Sequence, residues 1–277
     1  MRRGAALVRA FPRVLHLGVA RTATIGIVGG VGPYAALDLA RKICDETLAT
    51  RDQDHLPFAL FSYPEEIADR TAFILGETEL NPAHPILAVI AELERAGCRV
   101  VGIPCNSAHA PAIWDVITRE LALRNSTVRL LNMVEESAAF VTTTWPGLRR
   151  VGVLSTVGTQ RSGVYPEVFG RHGMEVIALA EPRLSELIHA SIYDPTFGIK
   201  AQASPVSERA RANALTAVEA VRASGAEVVV LACTELPLAV PEHMLGGTPI
   251  VDSTQVLARA LVRAVAPQLL RPQEGRR

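Results

Sequence analysis

Apolar residues in this chain fall in short runs, separated by stretches where they recur every three or four positions. Short runs bounded by glycine, proline or polar residues predict buried strands; the longer spacing predicts amphipathic helices. Strands are expected over 24–28, 57–62, 98–104, 128–131, 150–154, 175–180, 227–232 and 249–251. Helices are expected over 33–43, 84–96, 108–123, 134–143, 163–172, 184–192, 207–223 and 254–264. The segment 63–71 is polar and predicts a loop where the second strand exits. Strand and helix alternate throughout. That order predicts an α/β fold, with parallel sheets covered by helices on both faces.

The pattern runs through the chain twice. Ile25-Gly26-Ile27-Val28 opens the first pass and Val151-Gly152-Val153-Leu154 the second. Gly26 lies 79 residues before Cys105, and Gly152 lies 81 residues before Cys233. Each cysteine follows a similar segment, Ala96-Gly97-Cys98-Arg99-Val100-Val101 or Ser224-Gly225-Ala226-Glu227-Val228-Val229. Two similar lobes follow, each a parallel sheet flanked by helices. They would be related by a pseudo-two-fold axis with the active site in the cleft between them. The expected boundaries are 24–132 for lobe 1, completed by 250–270, and 133–249 for lobe 2. Residues 1–23 read as a poorly ordered N-terminal extension. That segment is Arg-rich and free of acids, as an organelle transit peptide would be, but it lacks serine.

Composition narrows the function. Of 277 residues, 49% are hydrophobic, enough for a large core. Lys+Arg and Asp+Glu are both 28, so no net field draws nucleic acid. No apolar run approaches the roughly 20 residues of a membrane span. Cys44 and Cys98 sit within a helical pattern and before a strand, and read as small buried hydrophobes. There is no CxxC pair, and Cys105-x3-His109 has no second pair nearby, so no metal is expected. Gly30-Val31-Gly32-Pro33-Tyr34-Ala35 fits a dinucleotide fingerprint. Against it, Pro33 removes a donor from the phosphate cradle, and no acid ends the second strand.

Cys105 and Cys233 carry the chemistry. Both stand at the C-terminal end of a strand, the edge where open α/β sheets bind ligands. Two thiols facing one carbon from opposite sides suit racemisation, which needs a base on one face and an acid on the other. Free cysteine, with a pKa of about 8.5, is only a few per cent thiolate at neutral pH. Helix starts beside the sulfurs would favour the anion. Asn106, Ser107 and Thr234 could cap those helices. Backbone N–H groups there could hold a substrate carboxylate. His109, one turn beyond Cys105, and Glu235, two residues after Cys233, are candidates for tuning the thiols.

These residues resemble the aspartate/glutamate racemase family. The resemblance rests on Ile25-Gly26-Ile27-Val28-Gly29-Gly30, Pro104-Cys105-Asn106-Ser107-Ala108-His109 and Cys233-Thr234-Glu235. Asp69-Arg70-Thr71-Ala72 and the segment from Ile192-Tyr193 to Ile199-Lys200 are similar to the aspartate racemase branch. It spans about 24–265. The resemblance implies a cofactor-independent amino-acid racemase interconverting L- and D-aspartate or a related acidic amino acid. Cys105 and Cys233 would be the acid/base pair. Asn106, Ser107, Thr156, Thr159 and Thr234 would hold the α-carboxylate and amine, and Arg70 and Lys200 the side-chain carboxylate. It also implies a homodimer; a cytoplasmic location is expected, with organelle targeting by the Arg-rich N-terminus left open. Ser107 stands where the family usually has Thr, which keeps the hydroxyl. Val31 stands where Met is frequent, which leaves the substrate open. The alternatives are a hydantoin racemase, maleate isomerase or arylmalonate decarboxylase type of enzyme, or a non-catalytic protein binding an acidic amino acid.

Overall fold

The computed structural model describes residues 24–273; the expectation for 1–23 lies outside the described residues. The first half runs β1 (Thr24–Val28), α1 (Pro33–Glu46), β2 (Phe58–Phe61), α2 (Arg70–Leu75), α3 (Ala83–Arg95), β3 (Cys98–Gly102), α4 (Pro111–Leu123) and β4 (Arg129–Leu131). The second runs α5 (Met133–Thr144), β5 (Arg150–Ser155), α6 (Val157–Ser162), α7 (Val164–Arg171), β6 (Glu175–Ile177), α8 (Ala190–Tyr193), α9 (Glu208–Ala223) and β7 (Val228–Ala232). It ends with α10 (Leu236–Ala239), β8 (Met244–Leu245), β9 (Thr248–Asp252) and α11 (Ser253–Val265). The result is an α/β fold with two parallel sheets flanked by helices. The strand orders are β2-β1-β3-β4 and β6-β5-β7-β9-β8, with only β8 antiparallel. Setting aside β8, the second order repeats the first.

The repeated glycines have a packing cause. A Cβ at Gly26 would lie 2.8 Å from Val101 Cγ2 and 3.3 Å from Leu93 Cδ1. At Gly152 it would lie 2.9 Å from Val221 Cγ2. In each half the helix before the cysteine-bearing strand therefore presses onto the opening strand.

The halves exchange helices. Asn132, after β4, caps α5 by accepting from the N–H groups of Val134 and Glu135. Asp252, the last residue of β9, caps α11 in the same way by accepting from the N–H groups of Thr254 and Gln255. Helix α5 then buries Val134, Ala138 and Val141 against β5 and β7 of the second sheet. Helix α11 buries Leu257, Leu261 and Val262 against β1 and β3 of the first. The expected boundary at 250 is thus corrected. Strand β9 pairs with β7 and belongs to the second sheet, and the crossing begins only at Ser253. Lys42 of α1 pairs with both Asp38 and Asp252, tying the halves at that crossing.

Other expectations shift locally. The segment 63–71 is not wholly loop, because Asp69 accepts from Ala72 N and starts α2 at Arg70. The helix expected over 108–123 splits into a 3-10 turn, Asn106–His109, and α4. Ala110 is extended there, and Pro111, with no N–H to give, opens the new helix. The helix expected over 184–192 is a π turn, Leu184–His189, followed by α8. Strand β8 is only two residues long, too short for any pattern. Among the described residues no helix is long and apolar enough to cross a membrane.

Candidate active site

The C-terminal ends of β1, β3, β5 and β7 open on one cleft. It is lined by Val31, Arg70, Cys105, Asn106, Ser107, Thr156, Thr159, Tyr193, Lys200, Ala232, Cys233, Thr234 and Glu235. Its empty space, mouth included, is about 260 Å³, smaller than the sites that take drug-sized ligands. A larger recess of about 1100 Å³ lies elsewhere, among Glu46, Trp145, Met244, Pro249 and Arg259. It holds no cysteine, and Glu46 is already paired with Arg259. The smaller cleft is therefore the chemical one.

Cys105 follows β3 and is held in extended backbone as its chain turns into the 3-10 turn. Its Sγ lies 3.3 Å from Ser107 Oγ. The Arg70 guanidinium enters beside it from the N-terminus of α2. Arg70 is only 6% exposed, donates from Nη2 to the Val31 carbonyl at 2.7 Å, and has a buried Nε with no partner. Burial works against its charge, but Cys105 and Asp69 outweigh burial and strengthen the protonated form.

Cys233 follows β7 directly and faces a different neighbour. Its thiol donates to Glu235 Oε2 at 3.0 Å. Burial first, then the Glu235 carboxylate, pushes this thiol well above its ordinary pKa. Lys200 Nζ donates to Glu235 Oε1 at 3.2 Å, and Thr234 Oγ1 to Oε2 at 3.3 Å. Burial raises the Glu235 carboxyl, but Lys200, Cys233 and Arg70 hold it below the usual value.

The polar floor is built across the two halves. Tyr165 OH donates to Asn106 Oδ1 at 2.6 Å, and Asn106 Nδ2 donates to Ser253 Oγ at 3.3 Å. Thr156 caps α6 through Thr159 N, and their hydroxyls lie 3.1 Å apart. Tyr193 OH lies 3.2 Å from both Asp69 Oδ2 and Thr71 Oγ1, closing second half onto first. Its ring carries Lys200 Nζ at 5.2 Å from the centroid.

The cleft thus gathers Cys105, Cys233, Arg70, Asn106, Ser107, Thr156, Thr159, Lys200, Thr234 and Glu235. His109 is absent from it. Its Nδ1–H donates to the Cys105 carbonyl at 2.9 Å, and Nε2 accepts from Met133 N at 3.2 Å. Both ring nitrogens serve backbone, so His109 fixes the loop that carries the sulfur. The expected helix capping by Asn106, Ser107 and Thr234 is corrected too. Their side chains turn to Tyr165 and Ser253, to Cys105, and to Glu235. The glycine turn also has another use than phosphate. A Cβ at Gly30 would lie 2.9 Å from Tyr63 backbone, and one at Gly32, 3.0 Å from Glu235 Oε1. Among the described residues no three His, Cys, Asp or Glu side chains form a metal-ligand set.

Sequence reading missed Tyr165 and Ser253. They sit 59 and 147 residues from Asn106, and neither stands in a motif. Tyr193 was legible only within its resembling segment.

The family model for Asp/Glu/Hydantoin racemase matches residues 28–261. The chain belongs to that family. It is 29% identical over 245 residues to the broad specificity amino-acid racemase RacX of Bacillus subtilis, covering 86% of this chain and 96% of that one. It is 28% identical over 252 residues to a glutamate racemase of Pseudomonas putida, covering 88% and 82%. Among solved structures, Picrophilus torridus aspartate racemase superposes with a TM-score of 0.74 at 26% identity, covering 91% of this chain and 96% of that one.

Proposed function

We propose that this member of the racemase family interconverts the enantiomers of aspartate, or of a closely related acidic amino acid, by two-thiol proton transfer without a cofactor. The observation that carries the reading is the shared cleft, in which Cys105 and Cys233 arrive from equivalent strands of the two sheets. One sulfur takes the α-proton as thiolate and the other delivers a proton to the opposite face as thiol; exchanging roles reverses the reaction. Asn106, Ser107, Thr156, Thr159 and Thr234 supply neutral donors and acceptors for the α-carboxylate and amine. The buried Arg70, with its free Nε, favours a second carboxylate on the substrate. Lys200 would assist there, although Glu235 already engages its ammonium. The aspartate racemase neighbour supports aspartate; the RacX and glutamate racemase relatives make a substrate panel the right assay.

Incubation with each enantiomer of a panel of amino acids in D2O, with no cofactor added, tests the proposal. Deuterium should enter the α-carbon of aspartate and appear in both enantiomers. Release of CO2 without label in a returned amino acid would indicate a decarboxylase. Binding without exchange would indicate a binding protein. Either result would overturn the racemase reading.

A further inference from the structure

The two cysteines are equivalent in the fold but not in their charged surroundings. Cys105 shares its side of the cleft with the Arg70 guanidinium. Cys233 has the Glu235 carboxylate 3.0 Å from its sulfur. We infer that Glu235 is a positioning residue that keeps Cys233 protonated, so that the resting site has a direction: Cys105 is the base and Cys233 the acid. This deepens the two-thiol reading above and rests on it.

Three features beyond that single contact point the same way. Glu235 is 6% exposed, and its two oxygens are separately occupied, Oε1 by Lys200 and Oε2 by the Cys233 thiol and Thr234. A carboxylate so engaged accepts the S–H proton in a hydrogen bond without taking it. The opposite half leaves space for it, because Gly32, at φ 146°, would bring a Cβ within 3.0 Å of Oε1. Finally, the other charged and titratable groups of the cleft are engaged elsewhere. Arg70, which also helps hold Glu235 ionised, donates to the Val31 carbonyl on the Cys105 side. Lys200 is bound to Glu235, while Tyr165 and Tyr193 have pKa values raised by burial first and remain neutral phenols. Glu235 is thus the one anion set directly against the sulfur among the described residues.

The proton count closes. From rest, the substrate Cα–H bond breaks and its proton joins the Cys105 sulfur. The Cys233 S–H bond breaks and its proton forms the new Cα–H bond on the opposite face. The site is left with a Cys105 thiol and a Cys233 thiolate beside Glu235, the disfavoured arrangement. Loss of one proton from Cys105 to water and gain of one at Cys233 from water restores rest. Without a directing charge, both sulfurs would at times be protonated together or ionised together, and neither arrangement turns over.

Alkylation of the substrate-free full chain by iodoacetamide, read at each cysteine by peptide mass spectrometry across pH, tests the inference. Cys233 should be modified only as the pH is raised, and less readily than Cys105 at any given pH. Glu235→Gln should lower the Cys233 midpoint by about 1–3 pH units, the range expected for losing an adjacent like charge. Glu235→Asp should restore most of the wild-type profile. Equal modification of both cysteines at neutral pH, a Cys233 that resists at every pH, or an unmoved midpoint in Glu235→Gln would overturn it. If Glu235→Gln fails to fold, the wild-type profiles alone decide. The assay needs no substrate, so its failure is separate from absence of α-deuterium exchange, which would defeat the racemase reading itself.

Discussion

His109 is neutral because of where it lies. Burial pushes its pKa down to about 4, although the Cys105 carbonyl pulls the other way. The unfolded chain holds this histidine near 6.5, so between these values the unfolded state binds more protons. Its contribution to stability is therefore full above about pH 6.5 and lost as the pH falls towards 4. At about 1.4 kcal/mol per pH unit, the loss approaches roughly 3 kcal/mol. Urea unfolding of wild type and His109→Asn at pH 7.5 and 4.5 checks this. The asparagine variant should start less stable and lose less on acidification; equal acid sensitivity would refute it. At the sulfurs, Cys105→Ser and Cys233→Ser should each abolish racemisation in a chiral assay, because a serine hydroxyl is far too weak an acid to exchange the proton. Full activity in either variant would contradict the mechanism. Arg70→Lys keeps the charge and loses the planar fork. A charge-assisted contact is worth about 1.5–3 kcal/mol, so kcat/KM for aspartate should fall roughly 10- to 150-fold. Alanine turnover should fall much less if Arg70 reads the second carboxylate; equal losses would remove that role. The cysteines were legible because repetition singled them out. The difference between them was legible only in part: Glu235 stands two residues after Cys233, whereas Arg70 lies far from Cys105 in sequence.

At the scale of elements, α2 and α6 set the position of Arg70. A Cβ at Gly158 would lie 2.8 Å from Thr71 Cα, a backbone atom that cannot swing aside. Gly158→Ala therefore pushes α2 away, and Arg70 is the first residue of that helix. The substitution would ordinarily favour α6 by up to about 1 kcal/mol through helix propensity. Overpacking should exceed that, for a net loss of roughly 1–2 kcal/mol. The larger effect should fall on kcat/KM, at about 10- to 100-fold, because small misplacements of a binding group are costly. Melting temperature and kinetics measured together decide it; unchanged kcat/KM would mean that the contact does not hold Arg70 in place. Helix α2 escaped sequence reading for a physical reason. With six residues it completes fewer than two turns, too few for a period to emerge from a polar segment. The Asp69 cap was its one local signal. The long helices α3, α9 and α11 were read to within two residues, because three or more turns bury a continuous stripe.

Across the whole molecule, the exchange of α5 and α11 joins the halves into one cooperative unit. Each sheet has one face covered by a helix that continues from the other half's last strand. The strand repeat made two sheets legible, but the crossing point was not, because the apolar run of β9 passes into α11 with only Asp252 between them. Unfolding one half would strip a helix from the other and expose its core. The two tryptophans report on the halves separately. Trp114 stacks on His109 at 4.6 Å in the first half, and Trp145 packs edge-on to Phe140 at 6.0 Å against the second sheet. In Trp114→Phe the remaining fluorescence follows the second half, and in Trp145→Phe the first. Within each variant, fluorescence and far-UV ellipticity should give one urea midpoint, as two-state unfolding requires. Leu261→Ala then makes the coupling quantitative. Leu261 is fully buried and its Cδ1 would meet a Cβ at Gly102 at 3.0 Å, so it packs directly on β3. Its truncation should cost about 2–5 kcal/mol. Although the cavity opens in the first half, both tryptophan signals should shift to lower urea together. A shift confined to the Trp114 signal would mean that the halves unfold separately, and that the shared cleft is maintained by contacts other than the exchanged helices.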